Sequence, residues 1–350
     1  MKTSTSRWGA VLAVLVGTSM VHAAATDPPA ITYTGDGSDL QEVIDAAPTG
    51  VTITFDAACC LEVSKSITVR RSLALSGLNA RLPQKLGRTP ILIVAAEGVT
   101  LSGLELQGNY DSVSQDDRAP LIHVTKGRFK AERCVFRDAS KDGIMVEPER
   151  SAGDIVDVVV RDIEAHRMGR DAVSISGGNR GQRVRNVLVE NVRLQRGYFR
   201  GAVEVSDGTD SVTVRHVCAE DAVYAIDVQD HGTASAPNTN VLLEEVTAVN
   251  CKHVIRTANS KIKHANLTLR KFTAADCKQP VKISNTTNVV IEDLTITNRT
   301  KADSARVRLD NCHGVRLGDI RIRGLAQAVE PIVAKNCTDV TIGPLTRSDE

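Results

Sequence analysis

The 350-residue chain has almost no net charge, +1 from 43 basic and 42 acidic residues. A balance this even gives no electrostatic attraction to nucleic acid or to an acidic membrane surface, so neither is expected as a partner. After residue 25 no stretch approaches the roughly 20 apolar residues of a membrane-spanning helix, and helix signals all but disappear after Pro48. The fixed leucine frame of leucine-rich repeats is missing, as is the longer four-strand period of propeller blades. Aromatic residues amount to 3%. What remains is a chain rich in short Val- and Ile-containing runs, hence all-β.

The N-terminus carries Lys2 and Arg7, an apolar run from Val11 to Val21 broken by small residues, and Ala23-Ala24-Ala25. Residues 1–25 therefore read as a secretory signal peptide, and the mature protein is expected to be secreted or periplasmic, soluble and monomeric. Eight cysteines in an exported chain would ordinarily imply a disulfide framework. Here Cys251 and Cys277 each precede an equivalent residue, Arg256 and Lys282, by five positions, and Cys312 and Cys337 follow Asn311 and Asn336. Thiols at matched places in successive repeats stack in parallel, a poor geometry for bridging, so stacked free thiols are expected. Adjacent Cys59 and Cys60 are the two expected to pair elsewhere.

Residues 26–50 form an N-terminal segment with a short helix, Ser38 to Ala47. Ser38 and Gln41 have capping-box spacing, Leu40, Val43, Ile44 and Ala47 make one apolar face, and Pro48 and Gly50 end it. Such a helix would cover the open end of a solenoid. Residues 51–350 then repeat one pattern, apolar-x-apolar, two polar, apolar-x-apolar, as in Val187 to Leu194 and Val289 to Ile296. Two period-2 runs joined by a polar corner are two strands meeting at a bend. A third strand lies between copies, with one outward residue each: His123, Met145, Ser174, Glu204, Asp227, Arg256, Lys282 and Arg308, spaced 22 to 30 residues apart. Three short strands per repeat specify a right-handed parallel β-helix of about ten coils. Asn285, Asn311 and Asn336 fall in register as a turn ladder.

This repeat resembles the pectin-lyase-like β-helix superfamily of carbohydrate-active proteins over essentially the whole mature chain, and Ile44-Asp45-Ala46-Ala47-Pro48 looks like its N-terminal cap. The longest excursions, Gly108 to Arg118, Glu147 to Asp154, Ser176 to Asn186 and Gln229 to Asn238, are expected to wall one groove. On its floor Glu204 and Asp227 would stand in adjacent coils, solvent-facing, a carboxylate pair in which repulsion keeps one proton, as glycoside hydrolysis requires. Arg256 and Lys282 would hold uronate carboxylates. Tyr198, Phe199 and Tyr224 would stack on sugar rings, and Asp230 and His231 lie at the strand exit.

Two further segments are similar to polygalacturonase-type hydrolases. Lys141-Asp142-Gly143-Ile144 and Gly169-Arg170-Asp171-Ala172-Val173 look like that family's acidic motifs, and Ile255-Arg256-Thr257 like its substrate-binding arginine motif. The resemblance implies Asp142 and Asp171 as acid and base. It departs where Arg170 replaces an aspartate and Phe199-Arg200-Gly201 replaces Gly-His-Gly. The leading expectation is a secreted enzyme that binds and hydrolyses an acidic polysaccharide without a cofactor. The alternatives are a lyase or C5-epimerase abstracting the proton beside a uronate, with Glu204, Asp227 and Asp230 holding Ca²⁺ in the lyase case, and a non-catalytic glycan-binding protein.

Overall fold

The computed structural model describes residues 29–348 apart from 57–58, 150–152, 179, 232–234, 259–262 and 303–304, so the signal-peptide reading lies outside the described residues. The chain winds into a right-handed parallel β-helix. One sheet stacks eleven strands, among them Ile144–Val146, Val173–Ser176, Gly201–Ser206, Tyr224–Gln229, His253–Ala258, Val281–Ser284 and Val307–Asp310; it is called the site sheet below. Every pairing in it is parallel and connects equivalent strands of successive coils. The stack is longer than the ten coils expected, because Ile67–Val69 and Leu92–Val94 precede the strand of His123 and Ile332–Lys335 follows that of Arg308.

The other strands form an eighteen-stranded sheet that bends round the core. The two strands expected on either side of each polar corner are one continuous bent strand in the middle coils, such as Ile155–Met168 and Val184–Gly197. The bend is made by a single residue in left-handed conformation: Asp162, Asn191, His216, Glu245, Lys271 and Asp293 all have φ near +55° (54 to 56°). Asp and Asn tolerate that conformation best, and a side-chain hydrogen bond from Asn191 Nδ2 to Asp162 Oδ1 (2.8 Å) links two corners. The turn ladder joins Asn311 to Asn285 as expected, but Asn336 reaches Asp310 instead (3.5 Å). A second ladder runs through Asn240, Asn266 and Asn288, at 2.8 and 2.9 Å.

Inward Val, Leu and Ile form one buried core, for example the column Val158, Val187, Val212, Val241, Leu267 and Val289. Helix Leu40–Ala46 closes its N-terminal end with Leu40 and Ile44 buried. The capping box is not made. Asp39 is the N-cap and has no side-chain cap bond; its carboxylate accepts from Tyr33 OH (2.6 Å), while the Gln41 amide exchanges two hydrogen bonds with the Thr68 backbone (2.9 and 2.8 Å). Cys251 and Cys277 are buried free thiols at equivalent corners, Cys312 is a buried free thiol at the corner after strand Val307–Asp310, and Cys59 and Cys60 are exposed and unpaired.

Candidate active site

The register places Glu204 beside Asp227, Asp227 beside Arg256, Arg256 beside Lys282 and Lys282 beside Arg308, all pointing away from the core. The expected row is therefore intact from His123 onward. Its two acids are not solvent-facing, however. Glu204 is 1% exposed and Asp227 is fully buried. Arg170 and Arg200, from the corners that precede the site strands, fold over them.

Glu204 is held by five neighbours. Ser206 and Ser174 hydroxyls donate to Oε1 (3.0 and 3.4 Å), Gln229 Nε2 donates to Oε2 (2.7 Å), Arg200 is in direct ionic contact, and Arg170 stands 3.6 Å away. Asp227 Oδ2 accepts from both Nε and an NH₂ nitrogen of Arg256 (2.9 and 2.7 Å). Burial raises the Asp227 pKa in spite of that partner. Cations thus separate Glu204 and Asp227 from any direct dependence on each other.

The carboxylate repulsion expected there operates one column away, between Asp142 and Asp171. These two also stand in adjacent coils, both fully buried, and the Asp171 backbone N–H donates to Asp142 Oδ1 (3.1 Å). Burial, then the nearby Asp142 charge, push the Asp171 carboxyl up to about 7, with Arg200 and Arg170 opposing. Its Oδ1 accepts from Tyr224 OH (2.7 Å) and from the Gly201 N–H (3.2 Å), while Oδ2 makes no hydrogen bond and lies 3.8 Å from Arg200. Gly201 is required here: a Cβ would sit 1.8 Å from the Tyr224 carbonyl oxygen.

Tyr224 is consequently not a sugar platform. It is fully buried, donating to Asp171 with the Arg256 guanidinium 4.5 Å above its ring. Tyr198 and Phe199 are exposed, as a sugar-stacking surface needs, and Tyr198 stacks on Tyr110 at 4.4 Å. His231 is tied to a residue outside the expected set: Asp207 accepts from its backbone N–H and bonds its ring Nδ1, both at 2.6 Å. Burial alone would raise the Asp207 carboxyl, but bonds from His231 and Ser235 bring it below the usual range. His231 Nε2 then faces two donor groups, Gln229 Nε2 (3.2 Å) and Arg200 (3.4 Å).

Beside these residues a cleft of about 840 Å³ continues along the site sheet, lined by Asp230, His231, Gln279, Lys282, Arg308 and Lys335 among others. Sequence reasoning passed over Arg170, Arg200 and Gln229 as site residues, and Asp207 is legible in it only as an acid at the strand exit three residues after Glu204. The signal for the arginines was spacing: Lys141, Arg170 and Arg200 each stand three residues before the paired positions Ile144, Val173 and Val203.

No protein-family model matches the chain, and no curated protein is similar to it in sequence. Solved structures share its fold. The catalytic domain of an α-1,3-glucanase in complex with tetrasaccharides superposes with a TM-score of 0.56 at 12% identity, over 91% of this chain, which spans only 59% of that domain. Endo-xylogalacturonan hydrolase from Aspergillus tubingensis gives 0.56 at 11% identity over 91% of this chain and 92% of its own. Alginate lyase from Paenibacillus sp. str. FPU-7 gives 0.50 at 11% identity, over 89% and 99%. These likenesses show the fold, the parallel β-helix expected from the repeat.

Proposed function

We propose that this chain binds an acidic polysaccharide along the site sheet and hydrolyses it, with Asp171 as general acid and Glu204 as the second carboxylate. One observation carries the reaction: a buried carboxyl pushed up to about 7 lies 3.8 Å from Arg200, the same guanidinium that ion-pairs with Glu204. A group with that pKa keeps its proton near neutrality and can give it to a leaving oxygen, while the ion-paired partner stays charged for water or the anomeric carbon. Lys282, Arg308 and Lys335 give the cleft cations that favour uronates. Fold-sharing proteins with glucanase, xylogalacturonan hydrolase and alginate lyase in their names support the polysaccharide reading by analogy. Asp142 is a positioning residue, since its Oδ1 holds the Asp171 backbone.

The test is a panel of pectic, alginate and glycosaminoglycan chains, with new reducing ends and ultraviolet absorbance both recorded. Reducing ends without absorbance, lost in Asp171→Asn and Glu204→Gln, are expected; full activity in both variants sinks the assignment. One observation favours a second reading. With Nδ1–H directed to Asp207, the Nε2 lone pair of His231, which Gln229 and Arg200 face at 3.2 and 3.4 Å, would become a base for the proton beside a uronate carboxylate once substrate displaces those donors. Unsaturated products would select elimination, and inverted sugars at unchanged chain length would select epimerisation. Calcium assistance through Glu204, Asp227 and Asp230 would require Arg200 and Arg256 to leave the first two.

A further inference from the structure

On the side of the groove where the chain enters the site strands lies a pocket of about 310 Å³, lined by Gln115, Arg118, Lys141, Arg170, Phe199 and Arg200. Its lining includes four cations and no acid. Lys141, Arg170 and Arg200 occupy the same place in three successive coils, an arrangement that is unfavourable unless something anionic fills the space between them.

Their internal compensation is incomplete. Arg170 Nε is buried without a hydrogen bond, and its nearest carboxylates, Asp142 and Glu204, stay at 3.6 Å. Among the described residues the Lys141 ammonium has a hydrogen-bond partner in the Met145 thioether alone, at 3.2 Å, a weak acceptor. Arg118 rests on aromatic rings, 4.6 Å from the Phe199 centroid and 5.2 Å from Tyr110, and has no ion pair among the described residues. Phe199 itself is 51% exposed, an apolar surface beside a ring of donors. Only Arg200 is committed to a carboxylate in direct contact, Glu204.

We propose that this pocket is a receptor for the anionic group of one sugar residue, a uronate carboxylate or a sulfate ester, with Phe199 in contact with the sugar ring. The proposal rests on the reading of the groove as a polysaccharide site. It goes further by placing an anion at Arg118, Lys141 and Arg170, away from the Arg256–Lys282 row. A planar or tetrahedral anion accepts several N–H bonds at once from guanidinium groups, and this pocket supplies three guanidinium groups and an ammonium.

The test is calorimetric titration of the Asp171→Asn chain, in which the probe stays intact, with three oligosaccharides of equal length: an oligogalacturonate, a sulfated neutral-backbone oligomer and an uncharged oligoglucan. At least one anionic probe is expected to bind more tightly than the uncharged one. Lys141→Gln and Arg118→Gln, each added to that background, are expected to weaken it by about tenfold, the scale of one charge-assisted hydrogen bond. The uncharged probe and the thermal midpoint should not move. Which anionic probe responds distinguishes carboxylate from sulfate. If neither outbinds the uncharged probe, or both bind the variants undiminished, the receptor is refuted. Hydrolysis is read separately in the unsubstituted chain. Pocket-dependent binding without turnover would refute hydrolysis and keep the receptor, and turnover with binding indifferent to Lys141 and Arg118 would do the reverse.

Discussion

Along the outer corner of the long sheet Glu132, Arg161, Glu190, Arg215, Glu244, Arg270 and Glu292 stand in register, one per coil, while the groove row runs Glu204, Asp227, Arg256, Lys282, Arg308. In the outer column the sign alternates at every step, and neighbours meet at 2.7 Å (Arg161 to Glu132), 2.8 Å (Arg215 to Glu190), 3.2 and 3.0 Å (Arg270 to Glu244 and Glu292). In the groove row acid follows acid and then base follows base. Like charges directly opposite in a sheet destabilise it, and burying them adds desolvation. A column shaped only by the scaffold looks like the first. The second buries two acids side by side under Arg200 and Arg256 and sets bases side by side beyond them, an arrangement that costs desolvation where the first does not.

That contrast is broken most forcefully by exchanging equivalent groups between the two columns. Asp171→Asn and Glu204→Gln should each lower reducing-end release from the responsive polysaccharide by about 100-fold or more, the scale of lost acid–base catalysis, while Glu190→Gln in the outer column leaves it unchanged. Equal losses in Glu190→Gln and Glu204→Gln would show that charge anywhere on the solenoid matters. Next comes stability. Arg200→Gln removes the direct ionic partner of the buried Glu204 carboxylate, leaving Arg170 and three hydrogen bonds, and should cost about 2–3 kcal/mol in urea unfolding. The matching outer change, Arg215→Gln, should cost under about 1 kcal/mol because the Arg215 side chain is half-exposed and its ion pair is screened by water. Indistinguishable urea midpoints for the two would remove the difference in kind.

The register was legible because alternation at period 2 and the polar corner specify every pairing, so that one slip would turn all of Val158 to Val289 outward. That is why Glu204, Asp227 and Arg256 were placed beside one another correctly. Burial was not legible. Whether Glu204 faces water depends on Arg170 and Arg200, whose long side chains cross from a neighbouring column, and strand alternation carries no information about that direction. Tyr224 was misread for the same cause: its place before Ala225 was clear, but its hydroxyl turns down to Asp171 because Gly201 leaves room. The capping box failed because Asp39 rather than Ser38 is the N-cap and the Gln41 amide turns to the backbone of Thr68, distant in sequence.

A pH titration of stability should separate the two regions by sign. The Asp171 carboxyl, pushed up to about 7 by burial and Asp142, holds in the folded state a proton that the unfolded chain releases near pH 4. Its contribution is full below about pH 4 and is lost as pH rises to about 7. Glu132 is the opposite case, held down to about 2 by Lys130 and Arg161; its contribution is present above about pH 4 and lost as pH falls toward 2. Asp171→Asn keeps an oxygen for Tyr224 and should flatten the decline between pH 4 and 7, whereas Glu132→Gln should flatten the acid limb. Urea midpoints from pH 2 to 8 measure both, and an unchanged neutral-side slope in Asp171→Asn would mean that this carboxyl is ionised when folded.

The smallest effect carries the sharpest sign. Lys282 is exposed and stands between Arg256 and Arg308 in register, so Lys282→Ser removes two like-charge neighbours and breaks no ion pair among the described residues. Unfolding free energy should rise by a few tenths of a kcal/mol, about 0.2–0.5. The same change in the outer column, Arg270→Ser, removes bonds to Glu244 and Glu292 and should lower stability by a similar amount. Affinity for an acidic polysaccharide should move the other way, falling in Lys282→Ser and holding in Arg270→Ser. Measured together by urea unfolding and titration, a gain of stability coupled to a loss of binding at Lys282 means that the groove row keeps its repulsion for the sake of the ligand. A loss of both at Lys282 would make it one more scaffold charge, and the two columns would differ in pattern alone.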